Sequence, residues 1–223
     1  MGSKYHEKVS NIKAKLSLIL ADIVTANELA LDAFKTLDFA KFKEAETILS
    51  KIGLKADEVD NEIIKAFALF GPEANELRFL VAFLKMTNEL VGIGDNIKKY
   101  ARRMNEHMQS QCDLEEFKSS IVLLHKSSLN ALKFILECFG DLHACSYEDS
   151  YRKVLVEESI NDDLFAVLEK ELLSKVIEEK ELSVDYVKVL GTLRKLERSC
   201  DRSVNIANLM MYAEQGGEIK LFK

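Results

Sequence analysis

Turn-forming residues are scarce in this chain, which has one proline and nine glycines in 223 residues. A β-sandwich or a β-barrel needs a turn signal about every ten residues, so this composition argues against both. Stretches rich in Ala, Leu, Glu and Lys, with no sustained alternation of apolar and polar residues, favour helices instead. The sequence therefore predicts an all-α protein built from a few long helices.

Apolar residues spaced three or four apart predict six helices. Gly71 and Pro72 interrupt the pattern, Asp113 and Glu116 resemble an N-terminal capping box, and Ser183 is a suitable N-cap. We expect the first three helices to cover residues 5–36, 38–70 and 73–108, and the last three to begin near residues 113, 147 and 183.

An imperfect internal repeat relates the two halves of the chain. Residues 85–97 have a partial counterpart in residues 194–207 when Asp95 is aligned with Asp201. A repeated helical unit buries its apolar face by stacking on its copy. Three predicted helices precede Asp113 and three begin at or after it. The sequence therefore predicts two tandem three-helix bundles, residues 1–110 and 111–223.

Two glycines, Gly92 and Gly94, lie inside the third predicted helix. Each costs about 1 kcal/mol relative to alanine, so a close helix–helix approach is the expected reason for them. Their spacing matches no phosphate-binding or dinucleotide-binding loop, and no strand precedes them.

The last helix carries a stripe of oxygen-bearing side chains, because Glu197, Asp201 and Asn205 are spaced four apart. Two like charges at this spacing cost a few tenths of a kcal/mol on an exposed helix. A cation or a partner can offset that repulsion. Neighbouring arginines such as Arg194 and Arg198 can also neutralise a solvated acidic face, so the residues alone leave both interpretations open.

The net charge of −6 and the isoelectric point of about 5.4 argue against nucleic acid as a partner. One group of basic residues departs from this acidic composition, and we interpret it as the solvated end of a helix: Lys98, Lys99, Arg102 and Arg103.

No segment approaches the ~18 uninterrupted apolar residues of a membrane span, and the start of the sequence lacks the pattern of an export signal. Four cysteines without C-x-x-C spacing indicate reduced thiols. These observations predict a cytoplasmic protein.

Parts of the third and last helices resemble the PhoU family, bacterial regulators of phosphate uptake and phosphate signalling. The last helix matches the family signature over residues 196–207, followed by Tyr212 and two glycines at 216 and 217. In the first half, the matching elements are Glu76-Leu77-Arg78, Ile93-Gly94-Asp95 and Pro72. The resemblance implies two similar three-helix bundles in a cytoplasmic protein that forms a homodimer and has no catalytic reaction of its own.

The resemblance also implies partners. A PhoU-like protein acts as an adapter between the ATPase subunit of the phosphate ABC transporter and a membrane sensor histidine kinase. It holds phosphate-starvation signalling off when phosphate is plentiful. Contact with the membrane would then be peripheral and would occur only through these partners.

Some family members bind metal clusters through paired Glu/Asp-x-x-x-Asp motifs on neighbouring helices, a donor set that suits a transition metal such as iron or zinc, or Mg²⁺. Carried over to this sequence, the second bundle offers Glu197 and Asp201 on its last helix, facing Glu157 and Asn161 on the helix before it.

The first bundle offers a less complete set of metal ligands. Asp95 and Asp60 match the family positions, but the residues paired with them are Val91 and Ala56. We therefore expect any metal site in the second bundle to be the stronger one.

Two other functions stay open at this point. A carboxylate-bridged metal store or oxidase could use the same acidic residues, although the four scattered histidines form no Glu-x-x-His ligand motif. A purely structural, dimerising helical protein would need no metal at all.

Overall fold

The computed structural model describes residues 2–73, 75–140 and 146–216. Every regular element in these ranges is a helix, which confirms the all-α prediction. None of them offers a stretch long and apolar enough to cross a bilayer. The elements are α1 Gly2–Thr36, α2 Phe39–Leu49, α3 Ile52–Phe70, α4 Asn75–His107, α5 Lys118–Gly140, α6 Tyr147–Glu178, the 3₁₀-helix Lys180–Leu182 and α7 Ser183–Gln215.

The helix expected to continue past Gly53 is interrupted between α2 and α3, at residues 50 and 51. The Ser50 hydroxyl donates to the Thr47 carbonyl at 2.7 Å, and the Ser50 backbone N–H donates to the same carbonyl at 3.3 Å. A hydrogen bond to the carbonyl three residues earlier tightens the last turn of α2 and replaces the regular α-helical bond to the carbonyl four residues earlier.

Two predicted N-caps need correction. Asp113 does not cap α5: its Oδ1 accepts from the Glu115 backbone N–H at 2.9 Å, which forms a turn before the helix begins at Lys118. Ser183 is the first residue of α7 and not its cap, because its hydroxyl donates back to the Lys180 carbonyl at 2.9 Å. The α5 helix therefore begins at Lys118 and not near Asp113, whereas α7 begins at residue 183 as predicted.

Consecutive long helices run antiparallel within each half. In the first half, Lys8 near the start of α1 pairs with Glu62 in α3. Lys55, which precedes Glu62, pairs with Asp22, which follows Lys8.

In the second half α5 and α6 run antiparallel, because Asn130 bonds to Glu157 whereas the earlier Leu124 bonds to the later Asn161. The α6 and α7 helices also run antiparallel, because Arg194 pairs with Glu169 whereas the later Asp201 meets the earlier Glu158. The predicted pair of three-helix bundles is therefore confirmed as the fold class.

The most extensive helix contact joins the two halves and is formed by α4 and α7. Arg202 Nη1 donates to Glu89 Oε2 at 2.9 Å, and His107 Nε2 lies 2.9 Å from Thr192 Oγ1. Glu89 precedes His107 whereas Arg202 follows Thr192, so the two helices are antiparallel. We call this contact the α4–α7 seam.

One hydrophobic core runs through both halves, and a polar group lies within it. His125 of α5 is fully buried, with Nδ1 3.2 Å from the Tyr100 hydroxyl and Nε2 3.1 Å from the Asn27 carbonyl. Burial lowers the pKa of His125 to about 3. A neutral imidazole therefore links α1, α4 and α5. The predicted boundary at residues 110 and 111 falls in the connection between α4 and α5.

The cysteines do not all follow the expectation of reduced thiols. Cys112 and Cys200 are buried and free. Cys138 is disulfide-bonded, so the expectation is wrong for this residue. Cys145 and His143 lie outside the described residues.

Candidate functional site

Three carboxylates meet between α6 and α7. Glu158, Asp162 and Asp201 each offer an oxygen, and these three oxygens lie within 4.8 Å of one another. Glu158 and Asp162 are one helical turn apart on α6 and therefore share a face, which Asp201 meets from α7. In the part of the chain that the structure describes, this is the one group of three or more acidic, His or Cys side chains placed to hold a metal ion. We call it the acidic cluster.

The sequence predicts Asn161 as a partner of Asp201, but the structure turns its amide toward α5. Asn161 is fully buried, and its Nδ2 donates to the Leu124 carbonyl at 2.9 Å and to the Ser127 hydroxyl at 2.7 Å. These bonds make Asn161 a contact between α6 and α5.

Glu157 is likewise placed toward α5, where its Oε1 accepts from Asn130 Nδ2 at 3.2 Å. Successive residues of an α-helix differ by about 100° around the axis. The following residues, Glu158 and Asp162, are therefore the ones that reach α7. The structure brings Asp201 together with this second pair of acidic side chains and not with Glu157 and Asn161.

Glu197 lies beside the acidic cluster on α7. Its Oε2 is buried and has no hydrogen-bond partner among the described residues. Glu197 and Asp201 also line a cleft of ≈ 580 Å³, together with Asn88, Glu89, Arg198, Arg202 and Asn205. A buried carboxylate oxygen without a donor lacks the compensation that buried polar groups ordinarily have.

Burial and like charge act in the same direction on all four carboxylates. Burial is the larger cause and a neighbouring carboxylate the next, and together they raise the pKa of Glu158, Asp162, Glu197 and Asp201. Such shifts mean that the ionised cluster is unfavourable without a compensating positive charge.

The neighbouring arginines do not supply that charge by direct pairing. Arg194 pairs with Glu169 at 2.7 Å and Arg202 pairs with Glu89 at 2.9 Å. Arg198 is exposed and forms no ion pair with the acidic cluster within the described ranges. The arginines therefore lower the pKa values of Glu197 and Asp201 only from a distance.

The first half does not form an equivalent cluster in the described residues. Asp60 is half-buried, and its Oδ1 accepts from the Thr87 hydroxyl at 2.6 Å. Asp95 is exposed on α4. Metal binding by these two residues stays a prediction.

A polar link across the α4–α7 seam was not evident from the sequence. Glu89 is 7% exposed and accepts from Arg202, with Asn205 Nδ2 at 3.4 Å from the same oxygen. Gly92 makes room for this pair, because a Cβ there would lie 2.4–2.6 Å from three guanidinium-group atoms of Arg202. The close approach predicted for Gly92 is confirmed, and the glycine inside a helix was the only available signal.

The close approach predicted for Gly94 is also confirmed. A Cβ at Gly94 would lie 3.3 Å from the Ile52 side chain, which is tighter than ordinary contact. Gly94 therefore lets α4 pack closely against α3.

The chemistry of the acidic cluster suits a hard or borderline cation. Three carboxylate oxygens from two helices, with a fourth carboxylate beside them, are the ligands that Mg²⁺, Mn²⁺ and iron take in proteins. The unpartnered oxygen of Glu197 and the raised pKa values fit a site that gains from a bound positive charge.

Comparison with known proteins places these features in a family. The family model described as PhoU domain matches twice, over residues 17–104 and 121–210. A phosphate-specific transport system accessory protein PhoU homolog from Pseudomonas aeruginosa is 24% identical over 191 residues, which are 86% of this chain and 77% of the relative. A PhoU homolog 1 from Thermotoga maritima is 23% identical over 236 residues, covering 98% of this chain and 92% of the relative.

Solved structures agree with this assignment at the level of the fold. PhoU from Pseudomonas aeruginosa superposes with a TM-score of 0.86 at 20% identity, over 96% of this chain and 100% of the other. PhoU from Streptococcus pneumoniae superposes with a TM-score of 0.81 at 19% identity, over 97% and 100%. Because the family model matches more than half of the chain, and does so in two copies, the chain belongs to the PhoU family.

Proposed function

We propose that this protein regulates phosphate uptake and phosphate-starvation signalling as a non-catalytic adapter between the ATPase subunit of a phosphate ABC transporter and a sensor histidine kinase. It would work in the cytoplasm, reach the membrane only through these partners, and form a homodimer. The curated relatives support the transport part, since they are named as accessory proteins of the phosphate-specific transport system.

Long exposed helical faces support a role in protein binding. On α6, three exposed apolar side chains lie along one side of the helix, Val156, Ile160 and Val167. Exposed apolar residues that share a helix face are typical of protein contact surfaces.

We further propose that the acidic cluster binds a cation, either a transition metal such as iron or zinc or Mg²⁺. Glu158, Asp162 and Asp201 would hold the ion, with Glu197 beside them. The observation that carries this proposal is the approach of three carboxylate oxygens to within 4.8 Å across two helices. A bound cation would offset their mutual repulsion and join α6 to α7.

Elemental analysis of protein purified without chelator or affinity metal tests the cation. We expect about one equivalent of metal or more in the wild-type protein and its loss in Asp162→Asn/Asp201→Asn. Glu157→Gln is the matched control, because this carboxylate faces α5, and it should retain the metal. Metal contents that are equal in all three proteins would refute the site.

Co-purification with the transporter ATPase subunit tests the adapter. The wild-type protein should retain the ATPase on a column and should turn over no small molecule alone. Deletion of the protein should raise expression of phosphate-starvation genes when phosphate is plentiful. Failure to retain the ATPase, together with unchanged expression in the deletion strain, would contradict the proposed function.

A further inference from the structure

Four cations gather on the α4–α7 seam, and one of them, Arg198, also lines the cleft that contains Glu197 and Asp201. Lys99 and Arg103 are one turn apart on α4, and Lys195 and Arg198 are almost one turn apart on α7. Lys99 and Arg198 are exposed, whereas Arg103 and Lys195 are half-buried. We call this group the basic cluster.

The register of the seam places the two pairs of cations opposite each other. The helices are antiparallel and are tied by Glu89 with Arg202 toward one end and by His107 with Thr192 toward the other. Residues 99 and 103 of α4 and residues 195 and 198 of α7 all lie between these two ties. The cations therefore come from both repeats of the fold and converge on one stretch of the seam.

The cations of the basic cluster are not neutralised by direct pairing with acidic side chains in the described ranges. None of the four cationic groups takes part in an ion pair or a hydrogen bond in the described ranges, whereas those of Arg202 and Lys188 on α7 do. Partial burial and the other three cations lower the pKa of Lys195. The interpretation of the α4 cations as a solvated helix end does not cover Lys195 and Arg198, which lie inside α7.

We propose that the basic cluster is the docking surface for an acidic segment of a protein partner. Complementary charge would steer such a segment to the seam and would remove the repulsion among the four cations. The proposal rests on the proposed adapter function, for which it names the docking face.

The surrounding charge favours a protein segment over a larger polyanion. The chain carries a net charge of −6, and the acidic side chains Glu197 and Asp201 lie beside Arg198 in one cleft. An extended nucleic acid or an anionic bilayer would meet both the basic and the acidic surface, whereas a short acidic segment can follow the seam alone.

The test uses a variant that should not unfold the protein. Lys99→Glu/Lys195→Glu replaces four like charges by two of each sign, so the thermal stability should stay equal or rise. Lys43→Glu/Lys170→Glu changes the net charge by the same amount at two exposed lysines on α2 and α6, and serves as the control.

A fluorescently labelled oligo-glutamate peptide is the first probe. The wild-type protein and the control should bind it with equal affinity, and more weakly at high salt. The Lys99→Glu/Lys195→Glu variant should bind about tenfold more weakly or worse. Equal affinity in all three proteins would overturn the proposal, and so would tighter binding of inorganic triphosphate than of the peptide at the same lysines.

Retention of the transporter ATPase subunit is the second readout. Loss of the ATPase in the basic-cluster variant, with retention by the control, supports the proposal. Equal retention by both variants overturns it and leaves the adapter function intact. If the wild-type protein retains no ATPase, the adapter function fails, and the peptide measurement alone decides the role of the basic cluster.

Discussion

Replacement of Gly92 by alanine provides a sharp test of the α4–α7 seam. The new Cβ would lie 2.4–2.6 Å from the Arg202 guanidinium group, so that group has to move away from Glu89. Glu89 is 7% exposed and would keep only the 3.4 Å approach of Asn205. A hydrogen bond to a charged partner contributes about 1.5–3 kcal/mol, and the 36% exposure of the Arg202 side chain favours the lower end of that range.

The same substitution also brings a gain, because alanine is about 1 kcal/mol better than glycine inside a helix. We therefore expect Gly92→Ala to lower the free energy of unfolding by about 0.5–1 kcal/mol. Gly191→Ala in α7 is the matched control, because nothing lies within 4 Å of a Cβ at that position. It should gain the full helix propensity of about 1 kcal/mol.

Thermal unfolding followed by circular dichroism separates the two outcomes. A change of 1 kcal/mol shifts the Tm of a protein this size by about 2–4 °C, so the two alanine variants should differ by about 3–8 °C. In an Arg202→Ala background, Gly92→Ala should become stabilising, because the clash is gone. A Gly92→Ala variant that gains as much as Gly191→Ala in the native background would refute this account of the seam.

Three further predictions concern charge and backbone strain. Without metal, Asp162→Asn/Asp201→Asn should raise the free energy of unfolding near pH 7 by about 0.5–1 kcal/mol, since each like-charge pair costs a few tenths of a kcal/mol. Because the pKa values of both carboxyl groups are raised in the folded protein, this cost should vanish as the pH falls to about 4. Urea titrations with and without excess Mn²⁺ check both the pH trend and its reversal by metal. The pKa of His125 is lowered to about 3, so wild-type stability should fall by up to about 1.4 kcal/mol per pH unit as pH drops from about 6.5 toward 3. His125→Gln should lack this contribution, although it is less stable at neutral pH, and an unchanged slope in urea titrations would contradict the assignment. Leu37 has a φ of 60° and is 57% exposed, so Leu37→Gly should raise the free energy of unfolding by about 1 kcal/mol, as measured by chemical denaturation.

The long helices could be predicted from the sequence because their apolar spacing is regular over many turns. Predicted and observed bounds of α4 differ by at most two residues, 73–108 against Asn75–His107. The break at Ser50 could not be predicted, because no glycine or proline occupies residues 50 and 51 to mark it. The break involves a serine hydroxyl that bonds back to the Thr47 carbonyl. Local hydrogen bonds of this kind compete with the helix without changing its apolar pattern.

The sequence alone could not show which pair of α6 residues joins Asp201 in the acidic cluster. Acidic or amide residues occur four apart on α6 in two registers, Glu157 with Asn161 and Glu158 with Asp162. Apolar spacing does not choose between them, because α6 also exposes apolar residues such as Val156. In the structure Asn161 lies on the buried face of α6 with Val154 and Phe165, and its hydrogen bond to the Leu124 carbonyl depends on the packing of another helix.

The pseudo-symmetric positions of the repeat do not carry the polar link between Glu89 and Arg202. The alignment that places Asp95 on Asp201 also places Glu89 on Lys195 and Asn96 on Arg202. After duplication of the helical unit, an antiparallel seam would carry the same pair of residues at both of its ends. At one end the acid and the base still satisfy each other. At the other end the aligned residues are Lys195 and Asn96, so this end of the seam carries positive charge where the first end carries a paired acid and base.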